Sequence, residues 1–196
     1  MKDVDIVFQF AATTSGAKDI STKPYIHVTD NAVMNSLLLR SAFDQKVEHF
    51  IFPSCTIMYQ KSDTAIKESD FNPSDKILPF YFGPGHTKVY LENMCKFYSS
   101  FGKTKHTVIR HSNIYGPHDK YDLEKSHVFG ATITKVMTSK DGIVNVWGSG
   151  EESRDLLYVE DLTRFIDIAI NKQEKEFEIF NVGLGKGIKV KDLVKK

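Results

Sequence analysis

Four short apolar runs, set apart by stretches with helical spacing, constrain this chain more than any other feature. VDIVFQF at residues 4 to 10, VEHFIFPS at 47 to 54, HTVIR at 106 to 110 and FEIFNV at 177 to 182 are near-continuous in apolar character, as buried parallel strands are. Between the first two, DNAVMNSLLLRSAFDQ places Met34, Leu37, Leu38 and Ala42 at helical spacing behind Asp30, a residue suited to cap a helix start. A helix beginning near Gly85 puts Tyr90, Met94, Phe97 and Phe101 on one face. Further helices are predicted over residues 127 to 137 and 160 to 171, with a short strand, NVW, at 145 to 147. Strands alternating with helices imply a parallel sheet with right-handed crossovers and helices on both faces, an α/β doubly wound architecture. The segment from Gln60 to Pro79, rich in Ser, Asp, Lys and Pro, reads as a surface loop of the kind that carries ligand contacts.

Composition narrows the function. With 41% hydrophobic residues in 196, the chain can bury a substantial core. Lys and Arg total 26 against 25 Asp and Glu, so no field exists to hold a polyanion, and nucleic acid is excluded as an expected partner. The apolar runs fall far short of the roughly 20 residues that cross a bilayer as a helix. MKDVDIVFQF lacks the cationic start and hydrophobic centre of a secretory signal. Cys55 and Cys95 are the only cysteines. They provide neither a disulfide framework nor metal-site spacing, so a reducing, cytoplasmic setting and no metal are expected.

The most specific string is SNIYGPHDKYDLEKSHV at residues 112 to 128, followed in order by VWGSGEESRDLLYVEDL at 146 to 162 and FNVG at 180 to 183. Together they resemble the extended short-chain dehydrogenase/reductases (the NAD-dependent epimerase/dehydratase family), in the branch of the GDP-L-fucose synthases. The resemblance spans nearly the whole chain. It implies a Rossmann-type fold, NAD or NADP as cofactor, a nucleotide-sugar substrate, and a homodimer for the full-length parent. It also implies a division into a nicotinamide-binding domain, residues 1–125 and 160–183, and a partial substrate-binding lobe, residues 126–159 and 184–196.

In this family a Tyr and a Lys four residues apart at a helix start, with a Ser or Thr nearby, handle the proton while the nicotinamide carries the hydride. Residues i and i+4 share a helix face, so the ammonium lowers the phenol's pKa. Lys88 falls at the expected Lys, but the position four before it is Pro84. Tyr81 or His86 stands as a replacement, and Gly83, Pro84 and Gly85 argue against a continuous helix from Tyr81 to Lys88. The alternative is a loop aromatic at Tyr81 and a homologue that binds without reacting. In PSCTIMY, residues 53 to 59, the resemblance puts Cys55 at the catalytic hydroxyl position, with Ser54 and Thr56 as further candidates. His127 matches the family's reprotonating histidine, whose partner cysteine falls at Ile57 in a gapless match, with Cys55 as the partner if the loop shifts. Carried over as substrate contacts are Asn113, Lys135, Trp147 and Arg154. Their types suit a diphosphate, sugar hydroxyls and a ring face. Ala11, Ala12, Lys88, His111 and Asn113 correspond to cofactor-lining positions.

No glycine-rich phosphate loop precedes Val4, and the one GxGxG string, Gly183 to Gly187, follows the last strand, where it would not cradle a pyrophosphate. The expectation is therefore a piece of a longer protein, carrying the second half of a Rossmann-type sheet and part of a small lobe, inactive and poorly stable alone.

Overall fold

The computed structural model describes residues 2–14, 22–123, 126–145 and 148–195. Its main sheet has four strands, β1 (Ile6–Phe8), β2 (His49–Pro53), β3 (Lys105–His111) and β6 (Phe177–Val182), in the order β1-β2-β3-β6 and all parallel. Helix α1 (Pro24–Asp44) connects β1 to β2, and α2 (Phe82–Ser99) connects β2 to β3. A second sheet of three strands, β4 (Asn113–Tyr115), β5 (Ser153–Tyr158) and β7 (Gly187–Lys189), has β5 at its centre, parallel to β4 and antiparallel to β7. Helices α3 (Val128–Thr138), α4 (Val159–Lys172) and α5 (Val190–Val194) and two single-turn 3-10 helices, Glu68–Asp70 and Pro79–Tyr81, complete the described elements.

Alternation along the strands builds a core on each face of the main sheet. On one face Phe50, Phe52 and Val108 pack with Leu39 and Ala42 of α1 and Leu91 and Cys95 of α2. On the other, Ile51 and Ile109 pack with Leu162 and Ile166 of α4 and with Leu157 of β5. Neighbours in one strand thus serve opposite layers, which is why VEHFIFPS and HTVIR carry no polar face. The α/β parallel sheet expected from the sequence is present, with helices on both sides.

Several local expectations are corrected. Helix α1 starts at Pro24 in its first turn, where proline loses no hydrogen bond, and Asp30 lies inside the helix instead of capping it. The buried stripe of α1 is His27, Asn31, Asn35, Leu39 and Ala42, while Leu37 is 66% exposed. Three of those five are polar because they grip the segment after β1. Asn31 Nδ2 donates to the carbonyl of Thr13 at 2.9 Å and its Oδ1 accepts the N–H of Thr13 at 3.0 Å. Gln9 Nε2 donates to Asn35 Oδ1 at 3.0 Å. Helix α2 begins at Phe82, so Gly83, Pro84 and Gly85 lie within its first turns, where the N–H that proline lacks has no intrahelical partner to lose. A Cβ at Gly83 would sit 2.8 Å from Val28 Cγ2, so glycine there lets α1 and α2 approach. The face of Tyr90 and Phe97 is exposed; Gly85, Thr87, Leu91, Glu92, Cys95 and Ser99 make the buried one. Strands β4, β5 and β7 were not anticipated, and the strand expected at 145 to 147 lies partly outside the described residues.

Candidate active site

The candidate residues gather where β1, β2 and β3 end, at the carboxyl edge of the parallel sheet, which is where ligands bind in open α/β folds. Ala11 and Ala12 follow β1 with exposed side chains, Ser54 to Thr56 follow β2, and His111 closes β3. Lys88 reaches this edge from α2. Its Nζ donates to the carbonyl oxygen of Pro53 at 2.9 Å and lies 4.9 Å from the centre of the Phe52 ring. One ammonium is therefore held by a strand-end carbonyl and an aromatic face, close enough to bear on the ionisation of both Cys55 and His111.

The three candidates on the turn after β2 separate by burial. Ser54 is 1% exposed and donates from Oγ to Glu92 Oε1 at 2.5 Å, so its hydroxyl points into the protein and is already engaged. Cys55 is half-buried and Thr56 exposed, leaving their side chains to meet a ligand. Burial pushes the Cys55 thiol up, against the pull of Lys88. A thiol so placed is a weak hydrogen-bond donor.

His111 Nδ1–H donates to the carbonyl of Ser112 at 2.7 Å. A carbonyl only accepts, so Nδ1 carries the proton and Nε2 is left as an acceptor. Burial is the main cause that keeps this ring below its ordinary value, with Lys88 and His127 adding to it. His127 is exposed and sits at the N-cap of α3 without capping through its side chain.

The place four residues before Lys88 is occupied by Pro84, inside α2. Tyr81 is the N-cap residue, half-buried, with its ring 5.0 Å from that of Phe80. Its Cα lies two turns before Lys88, about 10 Å along the axis, against about 6 Å for a residue four positions away. His86 is exposed, with its ring 4.7 Å from that of Phe82. Among the described residues neither ring hydrogen-bonds to Lys88 or Thr56.

The residues expected to contact substrate belong to the second sheet and its helices. Asn113 Nδ2 donates to the carbonyl of Asp155 at 3.1 Å, Lys135 Nζ to that of Asn145 at 2.7 Å, and Arg154 Nη1 to that of Ser153 at 2.9 Å. Trp147 lies outside the described residues.

Two clusters at this edge were not read from the sequence. Glu92 and Arg110 form an ion pair, 2.7 Å between Oε2 and Nη2, with both side chains 5% exposed or less. From it Arg110 Nη1 donates to Tyr59 Oη at 2.6 Å, and Tyr59 Oη donates to Asn181 Oδ1 at 2.8 Å. The second cluster is Asp155, whose carboxylate collects Ser112 Oγ and the N–H groups of Leu184 and Gly185. The one available signal for the first was the four-residue spacing between Lys88 and Glu92.

The sequence matches the NAD dependent epimerase/dehydratase family over residues 1–183. It is 27% identical to the GDP-L-fucose synthase of Sinorhizobium fredii over 196 residues, covering 95% of this chain and 60% of that protein. The fold superposes on UDP-glucose 4-epimerase from Thermotoga maritima, solved with UDP-glucose, with a TM-score of 0.81 at 26% identity, covering 97% of this chain and 59% of the other. It also superposes on MoeE5 in complex with UDP-glucose and NAD, with a TM-score of 0.82 at 21% identity, covering 99% and 61%. The chain spans about three-fifths of the length of the curated relatives it matches. With the family's strand-end edge in place and the match running over most of its length, the chain belongs to the NAD dependent epimerase/dehydratase family.

Proposed function

We propose that the whole protein to which this chain belongs is a nicotinamide-dependent nucleotide-sugar epimerase or reductase of the GDP-L-fucose synthase type, using NAD or NADP in the cytoplasm. The observation that carries this reading is Lys88, an ammonium held at the carboxyl edge of a parallel sheet beside Cys55, Thr56 and His111. The residues fit a nicotinamide cofactor. Ala11 and Ala12 are small and exposed past β1, leaving room for a flat ring, and Lys88 suits a ribose hydroxyl. When bound, the cofactor would accept or return a hydride. The chain's own groups then act on protons: Thr56 as a hydroxyl donor, the Cys55 thiol as a weaker one, Tyr81 as the available phenol, and His127 as an exposed acid/base. Asn113 is suited to the sugar hydroxyls, and Lys135 and Arg154 to a diphosphate. In this reading residues 1–125 and 160–183 bind the cofactor, and 126–159 with 184–196, including Trp147, serve the sugar nucleotide.

The reading includes a homodimer. Val33 and Leu37 of α1 and Tyr90 and Phe97 of α2 are 54%, 66%, 45% and 54% exposed, and the two helices pack side by side. The resulting apolar face is one that a second copy would cover.

A second reading, a homologue that binds nucleotide sugar or cofactor without reacting, is favoured by Pro84 in place of the phenol. Loss of proton transfer would cost on the order of 10²- to 10⁴-fold in rate. To separate the two, the whole protein is supplied with NAD or NADP and a panel of GDP-, UDP- and dTDP-linked sugars, and turnover is compared with Lys88→Ala. Turnover that collapses in the variant supports the enzyme. Equal rates in the two proteins contradict the role of Lys88, and cofactor binding without turnover supports the second reading.

A further inference from the structure

Two side chains one helical turn apart on α2 grip two consecutive residues at the end of β2. Lys88 Nζ holds the carbonyl of Pro53 at 2.9 Å, and Glu92 Oε1 accepts the hydroxyl of Ser54 at 2.5 Å. Glu92 is in turn held by Arg110 of β3, whose Nε reaches Oε1 at 3.1 Å and whose Nη2 reaches Oε2 at 2.7 Å. Arg110 immediately precedes His111. The three elements that carry the candidate groups Lys88, Cys55 to Thr56 and His111 are therefore tied together at one buried carboxylate.

We propose that Glu92, fixed by Arg110, is a positioning residue that sets the Ser54–Thr56 turn against Lys88. The proposal rests on the reading of this edge as the reacting site. A buried ion pair is a poor device for stability alone, since apolar residues of similar volume often do as well or better. What apolar packing cannot supply is direction. The carboxylate accepts from both the Arg110 guanidinium and the Ser54 hydroxyl, and each bond has a preferred angle. Backbone bonds tie the turn to β3 and close it, Ser54 N–H to the carbonyl of Ile109 at 2.7 Å and Tyr59 N–H to that of Thr56 at 3.1 Å, and the Ser54 hydroxyl adds its side-chain tie to α2. The charges at the junction agree with close coupling: Glu92, Lys88 and Arg110 all bear on the Cys55 thiol.

Cys55 reports the position of the turn without substrate or cofactor. It is half-buried, whereas Cys95, the other cysteine, is fully buried, so alkylation located by mass spectrometry distinguishes them. Two variants are compared with the parent chain. Ser54→Ala cuts the link but leaves the ion pair, and Glu92→Leu with Arg110→Met replaces the pair with apolar side chains. Both are expected to unfold cooperatively. Both are expected to alkylate Cys55 faster, by about tenfold in the paired variant, because the released turn exposes the half-buried thiol. Where the parent turns over a nucleotide sugar, kcat falls with KM little changed in Ser54→Ala. Parental alkylation rates in both variants would overturn the proposal, whatever their melting temperatures. A parent without turnover but with the shifted alkylation counts against the enzymatic reading and leaves the positioning role standing.

Discussion

The backbone N–H of Gly185 donates to Asp155 Oδ2 at 2.7 Å. Together with Leu184 N–H on Oδ1 at 2.9 Å and Ser112 Oγ at 3.0 Å, this bond wraps the Gly183 to Gly187 loop around a carboxylate of its own chain. The glycine-rich string that resembles a phosphate loop thus binds an anion, but one supplied by β5. Gly185 has a φ of 75°, the left-handed conformation that glycine adopts without strain. Replacing Asp155 with Ala leaves two N–H groups and a hydroxyl to find water. The expected loss is about 1–2 kcal/mol, or roughly 3–6 °C in melting temperature for a chain of this size, measured by calorimetry. Asp155→Asn, which keeps one acceptor, should lose about half as much.

Breaking the buried pair from one side should be far worse than removing it whole. Arg110→Met strands the Glu92 carboxylate at 4% exposure, a loss of about 3–5 kcal/mol, whereas the combined Glu92→Leu and Arg110→Met change should cost only about 1–2 kcal/mol, for the buried Ser54 hydroxyl left without its acceptor. Urea unfolding of the three proteins checks the order.

At the opposite end of β3, His106 gives the fold an acid sensitivity. It is 1% exposed, donates from Nδ1 to the carbonyl of Thr104 at 2.9 Å and, among the described residues, has no hydrogen-bond partner on Nε2. Burial is the main cause that pushes its pKa from 6.5 down to about 4. The folded state keeps this ring neutral while the unfolded chain takes up a proton below 6.5, so acid favours unfolding. Stability should fall by about 3 kcal/mol from this group between neutral pH and pH about 4. His49, lowered by burial and by Lys105, acts in the same direction. Urea midpoints across that range should drop more steeply in the parent than in His106→Leu.

The proposed dimer face predicts that Leu37→Glu with Phe97→Glu shifts a dimer to monomer in analytical ultracentrifugation with little change in melting temperature, both side chains being more than half exposed. A parent that sediments as a monomer at all concentrations would contradict the dimer.

How legible these features were in the sequence follows from how local their causes are. The strand FEIFNV and the helix over 160 to 171 were placed to within a residue of Phe177–Val182 and Val159–Lys172, because one apolar run and one clear helical period decide them. The start of α1 was missed by six residues, since His27, Asn31 and Asn35 look like a solvent face until Gln9 and Thr13 are there to be held. The buried face of α2 was misread because its aromatic residues, Tyr90 and Phe97, are the exposed ones and Glu92 is buried. A sequence shows the types of Glu92 and Arg110 but not their pairing across 18 positions, which exists only once α2 lies on β3. For the same reason Ser54, Cys55 and Thr56 were equivalent candidates in the sequence and differ in the fold, where one of the three points at Glu92.

The central claim, that Lys88 serves hydride transfer to a nucleotide sugar, is tested most directly by isotope transfer. The whole protein is incubated with a 4-keto nucleotide sugar and reduced nicotinamide cofactor deuterated at the transferable position, and the product is read by mass spectrometry. Deuterium in the sugar with the parent, and a rate lower by on the order of 10²-fold or more with Lys88→Ala, is the predicted result. Deuterium transfer at the same rate in both proteins would contradict the account.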